Sequence, residues 1–174
     1  ILNAALDTTA PDNTRTTAVD LLGERWLDRE ETHATVFNIA LDTTAPDNTR
    51  AIALDVLGDG WSDREETHAT VLNIARDTTA PDHTRTIALQ TLAMHWPDQD
   101  GWSCTASCIQ GTKANLREIA VRLLALMWPQ TSETAALLIN AAESDVSAEV
   151  RTTAEQAVAY LEAIAEINAS SAPA

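Results

Sequence analysis

The sequence predicts an all-α solenoid of about five stacked helical hairpins, and three observations carry this prediction. The segment DTTAPDNTR at 7–15 recurs unchanged at 42–50 and as DTTAPDHTR at 77–85, which sets a period of 35 residues. Hydrophobic residues make up 45% of the chain, mostly alanine and aliphatic types, while aromatic residues make up only 4%. Five glycines and six prolines are too few for a turn-rich β protein, so helix is favoured.

The repeat extends beyond the copied segment. Residues 7–41 and 42–76 are identical at 26 of 35 positions, and an arginine recurs at intervals of 35, 35, 32 and 34 residues. These arginines are Arg15, Arg50, Arg85, Arg117 and Arg151. We therefore predict one array over 1–166, with repeats at 1–26, 27–61, 62–96, 97–128 and 129–166, followed by a flexible tail at 167–174. Each repeat buries its apolar face against its neighbours.

The first helix of each repeat, helix A, is predicted in the segment DREETHATVLNIA. Asp28 or Asp63 can cap its N-terminus, with Glu31 or Glu66 three residues later, which is a capping-box pattern. Apolar residues at helical spacing predict one buried stripe. The stripe comprises Ala34, Phe37 and Leu41, with Val36 and Ala40 beside it.

The segment TTAPDNTR ends helix A, because proline disfavours helix at the preceding residue, and Thr44 or Asp47 can cap the second helix, helix B. Counted from the repeated arginine, apolar residues at offsets 3, 7 and 11 share one face of helix B. In two repeats they are Ala53, Leu57 and Trp61, and Ala120, Leu124 and Trp128. Gly23 and Gly58 are predicted to loosen the end of this helix.

The pattern R-x-x-A-x-x-x-L after a proline and an aspartate, as in PDNTRAIALDVLG at 46–58, resembles HEAT repeats of the short bacterial kind. The resemblance implies a right-handed α-α superhelix (solenoid). It also implies that a repeated aspartate and the repeated arginine form a ladder between neighbouring repeats, a structural role. The ladder residues are Asp12, Asp47 and Asp82, with Arg15, Arg50 and Arg85. The tryptophans Trp26, Trp61, Trp96 and Trp128 are expected to pack between repeats.

The charge narrows the class of partner. The net charge of -15 and the pI near 4.4 argue against nucleic acid and anionic membranes, which need a basic surface. No stretch approaches the ~18 consecutive apolar residues of a membrane span, and the segment ILNAALDTTA lacks the basic and apolar regions of a signal peptide. Two cysteines suit a cytoplasmic protein. The start ILNAALDTTA matches VLNIARDTTA at 71–80, so the chain is expected to begin inside a repeat of something longer.

Binding residues are expected on helix B at offsets 1, 5 and 9 from the arginine, which face away from both neighbouring repeats and, by the HEAT resemblance, line the concave side. This line changes from acidic to mixed and apolar along the chain, which suits a protein or peptide with a basic end and a hydrophobic end. The candidates are Asp20, Glu24, Asp55, Asp59, Gln90, Met94 and Arg122.

The segment PDQDGWSCTASCIQGT at 97–112 is the one irregular repeat. Its helix A is three residues shorter, which makes Trp102 a candidate contact residue. Cys104 and Cys108 lack the further ligands that a zinc site needs, and His33 and His68 are explained by repeat copying. We therefore expect no metal and no cofactor.

No P-loop, dinucleotide fingerprint, G-x-S-x-G elbow or H-E-x-x-H motif is present. The sequence therefore predicts a non-catalytic scaffold that binds a protein or peptide, as the sensing or interaction part of a larger protein. Two alternatives stay open. One is a HEAT-like enzyme such as a bilin lyase, which would concentrate a carboxylate or histidine in a single repeat. The other is a structural spacer.

Overall fold

A computed structural model describes residues 1–170, and within this range the chain forms ten α-helices and no β-strand. The all-helical prediction is confirmed. The helices are α1 (Leu2–Leu6), α2 (Asp12–Arg25), α3 (Glu30–Leu41), α4 (Asp47–Trp61), α5 (Glu65–Arg76), α6 (Asp82–His95), α7 (Gln99–Cys108), α8 (Ala114–Met127), α9 (Ser132–Ser144) and α10 (Ala148–Ser170). None of them is long and apolar enough to cross a lipid bilayer.

Consecutive helices pair as hairpins, from α1 with α2 to α9 with α10. The chain divides into an N-terminal unit, Ile1–Trp96, and a C-terminal unit, Pro97–Ala174, where the sequence suggests one continuous array. In the N-terminal unit α4 packs between α2 and α6, and in the C-terminal unit α8 packs on α10. The B helices of successive repeats thus contact one another directly inside each unit.

The core follows the predicted face of helix B and only part of the predicted face of helix A. Leu57 is fully buried and Trp61 is 4% exposed, as the spacing from the arginine predicts. In helix A the predicted stripe is correct for Val36 and Ala40, which are fully buried, but wrong for Ala34 and Leu41, which are exposed. The buried side includes polar residues such as Thr32, which an apolar pattern does not reveal.

The helix starts also differ from the prediction. Asp28 and Asp63 do not cap helix A: α3 and α5 begin at Glu30 and Glu65, and neither has a side-chain cap. The N–H of Arg29 instead donates to the carbonyl of Trp26 at 3.2 Å, so residues 26–29 form a turn and α3 begins directly after it.

The DTTAP segment is shaped by its first aspartate. The carboxylate of Asp42 accepts hydrogen bonds from the N–H of Thr44 at 2.9 Å and from its hydroxyl at 2.6 Å. Asp7 and Asp77 make the same pair of bonds to Thr9 and Thr79. This Asx turn lies directly before the proline. Helix B then begins without a side-chain cap, so neither Thr44 nor Asp47 caps it as predicted.

Gly23 and Gly58 lie within the last turns of α2 and α4, and both helices continue beyond them. They allow close approach of neighbouring B helices. A Cβ on Gly23 would lie 2.8 Å from a methyl group of Val56, and one on Gly58 would lie 2.7 Å from Cδ2 of His95. Small residues here set the helix spacing.

The repeated arginine ties together the two helices of its own hairpin. Nε of Arg50 donates to the carbonyl oxygen of Ala40 at 3.3 Å, and Arg15 and Arg85 make equivalent bonds. Asp47 has a different partner. Its carboxylate accepts hydrogen bonds from both the N–H and the hydroxyl of Thr84 in the next repeat. These hydrogen bonds give the arginine and the aspartate separate partners where the HEAT resemblance implies one ladder.

The last helix is longer than the sequence suggests. α10 continues to Ser170, so residues 167–170 of the predicted flexible tail are helical. The rest of that tail, 171–174, lies outside the described residues.

Candidate functional site

Four of the predicted binding residues line one open groove of about 190 Å³ in the N-terminal unit. The groove lies between α2 and α4, which pack on each other with Gly23 of α2 facing Val56 of α4. We call it the acidic groove. Its lining comprises Asp20, Gly23, Glu24, Leu27, Asp55, Val56 and Asp59.

The position of these carboxylates on their helices adds to the negative potential. Glu24 and Asp59 stand in the last turns of α2 and α4, close to the negative end of each helix dipole. A cation is the favourable group at a helix C-terminus, so acidic residues there are stabilised by a positively charged group that enters from outside. The groove therefore suits a basic side chain.

The pKa of Asp55 is affected by its place among the other carboxylates of the groove. Its partial burial in the groove raises the pKa of its carboxyl group, and the charges of Asp59 and Asp20 raise it further, while His95 acts against them. Nε2 of His95 lies 3.2 Å from Oδ1 of Asp59. His95 thus affects the charges of the acidic groove. It is not among the predicted residues because it stands at offset 10 on helix B, one position after the line at offsets 1, 5 and 9.

The raised pKa predicts that Asp55→Asn increases stability at pH 7. A carboxyl group with a raised folded-state pKa disfavours folding while it is ionised, and this penalty disappears as the pH falls through that pKa. Solvent still reaches Asp55 and screens its charge, so we expect a gain below about 1 kcal/mol. Urea unfolding of both proteins from pH 7 down to pH 4 measures the difference, which should shrink as the pH falls.

Asp42→Asn provides a control of opposite sign. The hydrogen bonds from the Thr44 hydroxyl and N–H lower the pKa of Asp42, so its ionised form stabilises the fold at neutral pH. This variant should lose stability at pH 7, and the loss should fade as the pH falls through the folded-state pKa. If both variants changed the free energy of unfolding in the same direction at every pH, the unfavourable environment inferred for the Asp55 carboxylate would be contradicted.

The remaining predicted residues are distributed as follows. Gln90 is half-buried and Met94 is 56% exposed on α6, at positions equivalent to Asp55 and Asp59. Arg122 belongs to the C-terminal unit, where its Nη2 atom lies 2.6 Å from a carboxylate oxygen of Glu118 four residues earlier. The acidic groove brings four of the seven candidates together.

A second groove, of about 210 Å³, lies between α8 and α10 in the C-terminal unit, and we call it the apolar groove. Leu126 is 59% exposed and Tyr160 is 44% exposed on its walls. Both side chains occupy offset 9 on helix B, the same line that carries Glu24 and Asp59. The full lining comprises Arg122, Ala125, Leu126, Thr153, Gln156, Ala157 and Tyr160.

Trp102 is used within the fold. It is half-buried on α7, and its indole N–H donates to the hydroxyl of Thr134 on α9 at 3.0 Å. The shortened helix expected around it is present, since α7 has 10 residues where α3 has 12, and Asp98 caps it through the N–H of Gly101. The contact with Thr134 ties the two hairpins of the C-terminal unit together.

The repeated histidines pack against the repeated tryptophans. The ring of His33 lies edge-on to Trp61 with centroids 5.0 Å apart, and His68 stacks on Trp96 at 5.1 Å. Burial, and then the nearby Arg64 guanidinium, lowers the pKa of His33. Residues 1–170 contain no group of three or more ligand side chains that could hold a metal ion.

Comparison with known proteins adds information on the fold. No known family of sequences matches the chain, and no curated protein matches it. The crystal structure of an engineered protein, a target of the Northeast Structural Genomics Consortium, is similar over 92% of this chain and 77% of its own, with a TM-score of 0.52 and 16% identity. At this identity the likeness concerns the fold alone.

Proposed function

We propose that the chain is a non-catalytic scaffold that binds a protein or peptide through a basic segment seated in the acidic groove. The observation that carries this proposal is the grouping of Asp20, Glu24, Asp55 and Asp59 around one open groove. In the HEAT-like arrangement that we propose, the hairpins follow a right-handed superhelix and this groove lies on its concave side.

The energetics of the groove support a cationic partner. Asp59 and Asp20 repel the charge of Asp55, and Glu24 and Asp59 lie near the negative ends of their helices, so the free protein holds these charges at a cost in stability. A lysine or arginine placed between Asp20 and Asp55 relieves this repulsion and favours the ionised form of Asp55. The net charge of -15 also steers a basic partner toward the protein over long range.

The apolar groove offers a different kind of contact. Leu126 and Tyr160 leave large apolar areas in water, and tyrosine is a frequent anchor in protein interfaces. We propose that this surface binds apolar side chains of a partner and contributes affinity. The charges in the acidic groove contribute mainly to the rate and selectivity of association.

Charge reversal in the acidic groove tests the proposal. The probe is a synthetic amphipathic helical peptide with four lysines on one face and leucines on the other, titrated calorimetrically at 50 mM and 300 mM salt. Lysine replaces Asp20, Glu24, Asp55 and Asp59. If each exposed pair contributes ~0.5 kcal/mol, the four together change affinity about thirtyfold or more. Binding by the unaltered chain should weaken steeply with salt.

A matched control variant separates the effect of charge inside the acidic groove from the effect of the net charge of the chain. Lysine at Glu133, Glu143, Glu162 and Glu166, which are exposed on α9 and α10 and line neither groove, gives the same net charge. This control should bind the peptide within about threefold of the unaltered chain, because solvent and salt screen exposed charges that do not contact the peptide. Equal losses in both quadruple variants would mean that the acidic groove is not the site.

A further inference from the structure

A histidine lies beside the acidic groove and is held there by close packing. Nε2 of His95 on α6 lies 3.2 Å from Oδ1 of Asp59 on α4, and the histidine side chain is only 19% exposed. The ring packs on Gly58, where a Cβ would lie 2.7 Å from its Cδ2 atom. Nε2 has no hydrogen-bond partner of good geometry within residues 1–170. Its interaction with Asp59 therefore depends on whether the ring is charged.

The position of His95 is one that repeat copying does not explain. It stands ten residues after the repeated arginine, where the two preceding repeats have Arg25 and Gly60. A Cβ on Gly60 would meet the side chain of Leu27, just as His95 meets Asp59. Side chains at this position are thus directed toward the preceding helix B or the turn that follows it. In the third repeat this places a titratable group against the acidic groove.

The charges around His95 come mainly from the groove. Within the N-terminal unit α6 packs against α4 and α5. From α4, Asp59 lies in direct contact and the carboxyl group of Asp55 is affected by the charge of His95. From α5, His68 stacks on Trp96 at 5.1 Å, and the centroid of Trp96 is 6.0 Å from that of His95. The other titratable residues of α6 stand in its first turn, at the opposite end, and are Asp82, His83 and Arg85.

Acidification therefore lowers the negative charge of the groove. Histidine is the side chain that ordinarily changes charge between pH 5 and 8. Protonation of His95 turns its contact with Asp59 into an ion pair, which makes this carboxylate less available to a basic side chain, and the added positive charge repels that side chain. Burial also raises the pKa of Asp55, so acid removes part of a second negative charge. Both changes disfavour a bound cation.

We propose that His95 makes the acidic groove release its basic partner as the pH falls from about 7.5 to about 5.5. The inference rests on the proposed function, because it concerns the regulation of the same groove. By linkage, a bound basic segment disfavours protonation of His95 by the same factor by which protonation disfavours binding. One charge added this close to the bound group changes affinity about threefold to tenfold.

The test is calorimetric titration of the lysine-containing peptide at pH 7.5 and pH 5.5 in 50 mM salt. We expect the unaltered chain to bind at least about threefold more weakly at pH 5.5. In His95→Gln this ratio should fall to the part that Asp55 contributes. In His95→Arg, which carries a permanent positive charge, binding at pH 7.5 should already be weakened by a similar factor.

His83→Gln is the matched control. His83 is exposed in the first turn of α6, so it is a histidine of the same helix that does not approach the acidic groove. This variant should keep the pH ratio of the unaltered chain. A second measurement needs no substitution: the ring resonance of His95 is followed from pH 8 to pH 5 with and without the peptide. The bound peptide should move the midpoint of this titration to lower pH.

Two results would overturn the inference while leaving the proposed function intact. One is a pH ratio that is the same in His95→Gln and in the unaltered chain, and the other is a His95 midpoint that saturating peptide leaves unchanged. A different result concerns the proposed function itself. Binding at pH 7.5 that survives lysine at all four groove carboxylates would overturn that function, and the regulation by His95 with it.

Discussion

Arg117→Met is expected to destabilise the C-terminal unit by about 3 kcal/mol, because it removes the paired guanidinium from a buried carboxylate and leaves it only the N–H of Ser147 and the charge of Arg151. Nε and Nη2 of Arg117 donate to the two carboxylate oxygens of Asp145 at 2.7 and 2.8 Å, and the side chains are only 7% and 8% exposed. Nη1 donates to the carbonyl of Gly111 at 3.0 Å. The pair thus joins α8 to the turn between α9 and α10.

The pH dependence of this loss has a definite sign. The Arg117 guanidinium lowers the pKa of Asp145, so the pair stabilises the fold at neutral pH and the contribution fades as the pH falls through the folded-state pKa. Urea unfolding followed by circular dichroism should show the full loss at pH 7 and a smaller one in acid.

Arg122→Met is the matched control for this prediction. Its ion pair with Glu118 is as short, at 2.6 Å, but the arginine side chain is 61% exposed. We expect a change below about 1 kcal/mol. The double variant Arg117→Met with Asp145→Leu should recover part of the stability that Arg117→Met loses. Similar losses for Arg117→Met and Arg122→Met would contradict the assignment of a buried pair.

Gly58→Ala is expected to have the second largest effect on stability, although alanine favours helix. The added Cβ would contact Cγ2 of Thr91 and would lie 2.7 Å from Cδ2 of His95, both on α6. Separating α4 from α6 costs up to about 3 kcal/mol, and the ~1 kcal/mol that alanine gains over glycine in a helix offsets only part of this, so we expect a net loss of up to about 2 kcal/mol. Thermal unfolding should show a lower Tm.

Gly60→Ala, two residues later in the same helix, is the control. Its Cβ would meet only the end of the Leu27 side chain, which is partly exposed and can move. We expect no loss of stability and up to about 1 kcal/mol of gain. A lower Tm in this variant than in Gly58→Ala would mean that helix contact does not explain the glycine.

The sequence was sufficient for the hairpins and for the buried face of helix B, because apolar residues there recur at one spacing from the arginine. Helix A was predicted only in part, since Val36 and Ala40 are buried as expected but Ala34 and Leu41 are exposed. Its buried side carries Thr32 and His33, and such polar residues are invisible to an apolar pattern. The cap at Asp28 failed for a related reason, since the turn from Trp26 to Arg29 moves the helix start to Glu30.

The acidic groove could be predicted because its carboxylates lie at fixed offsets on neighbouring copies of one helix. Contacts between residues at non-equivalent positions of two repeats were not predicted. Nothing in the repeat indicates that Arg64 pairs with Glu30 in the previous repeat, or that His95 approaches Asp59. These pairs depend on the tilt and spacing of adjacent helices, which small residues such as Gly58 determine.

Nuclear magnetic resonance mapping of the lysine-containing peptide on the ¹⁵N-labelled chain tests the proposed binding site most directly. The account predicts that the largest shifts occur at the amides of Asp20, Glu24, Asp55 and Asp59, and that they disappear in the groove charge-reversal variant. Shifts spread evenly over all exposed acidic residues, or retained in that variant, would contradict it.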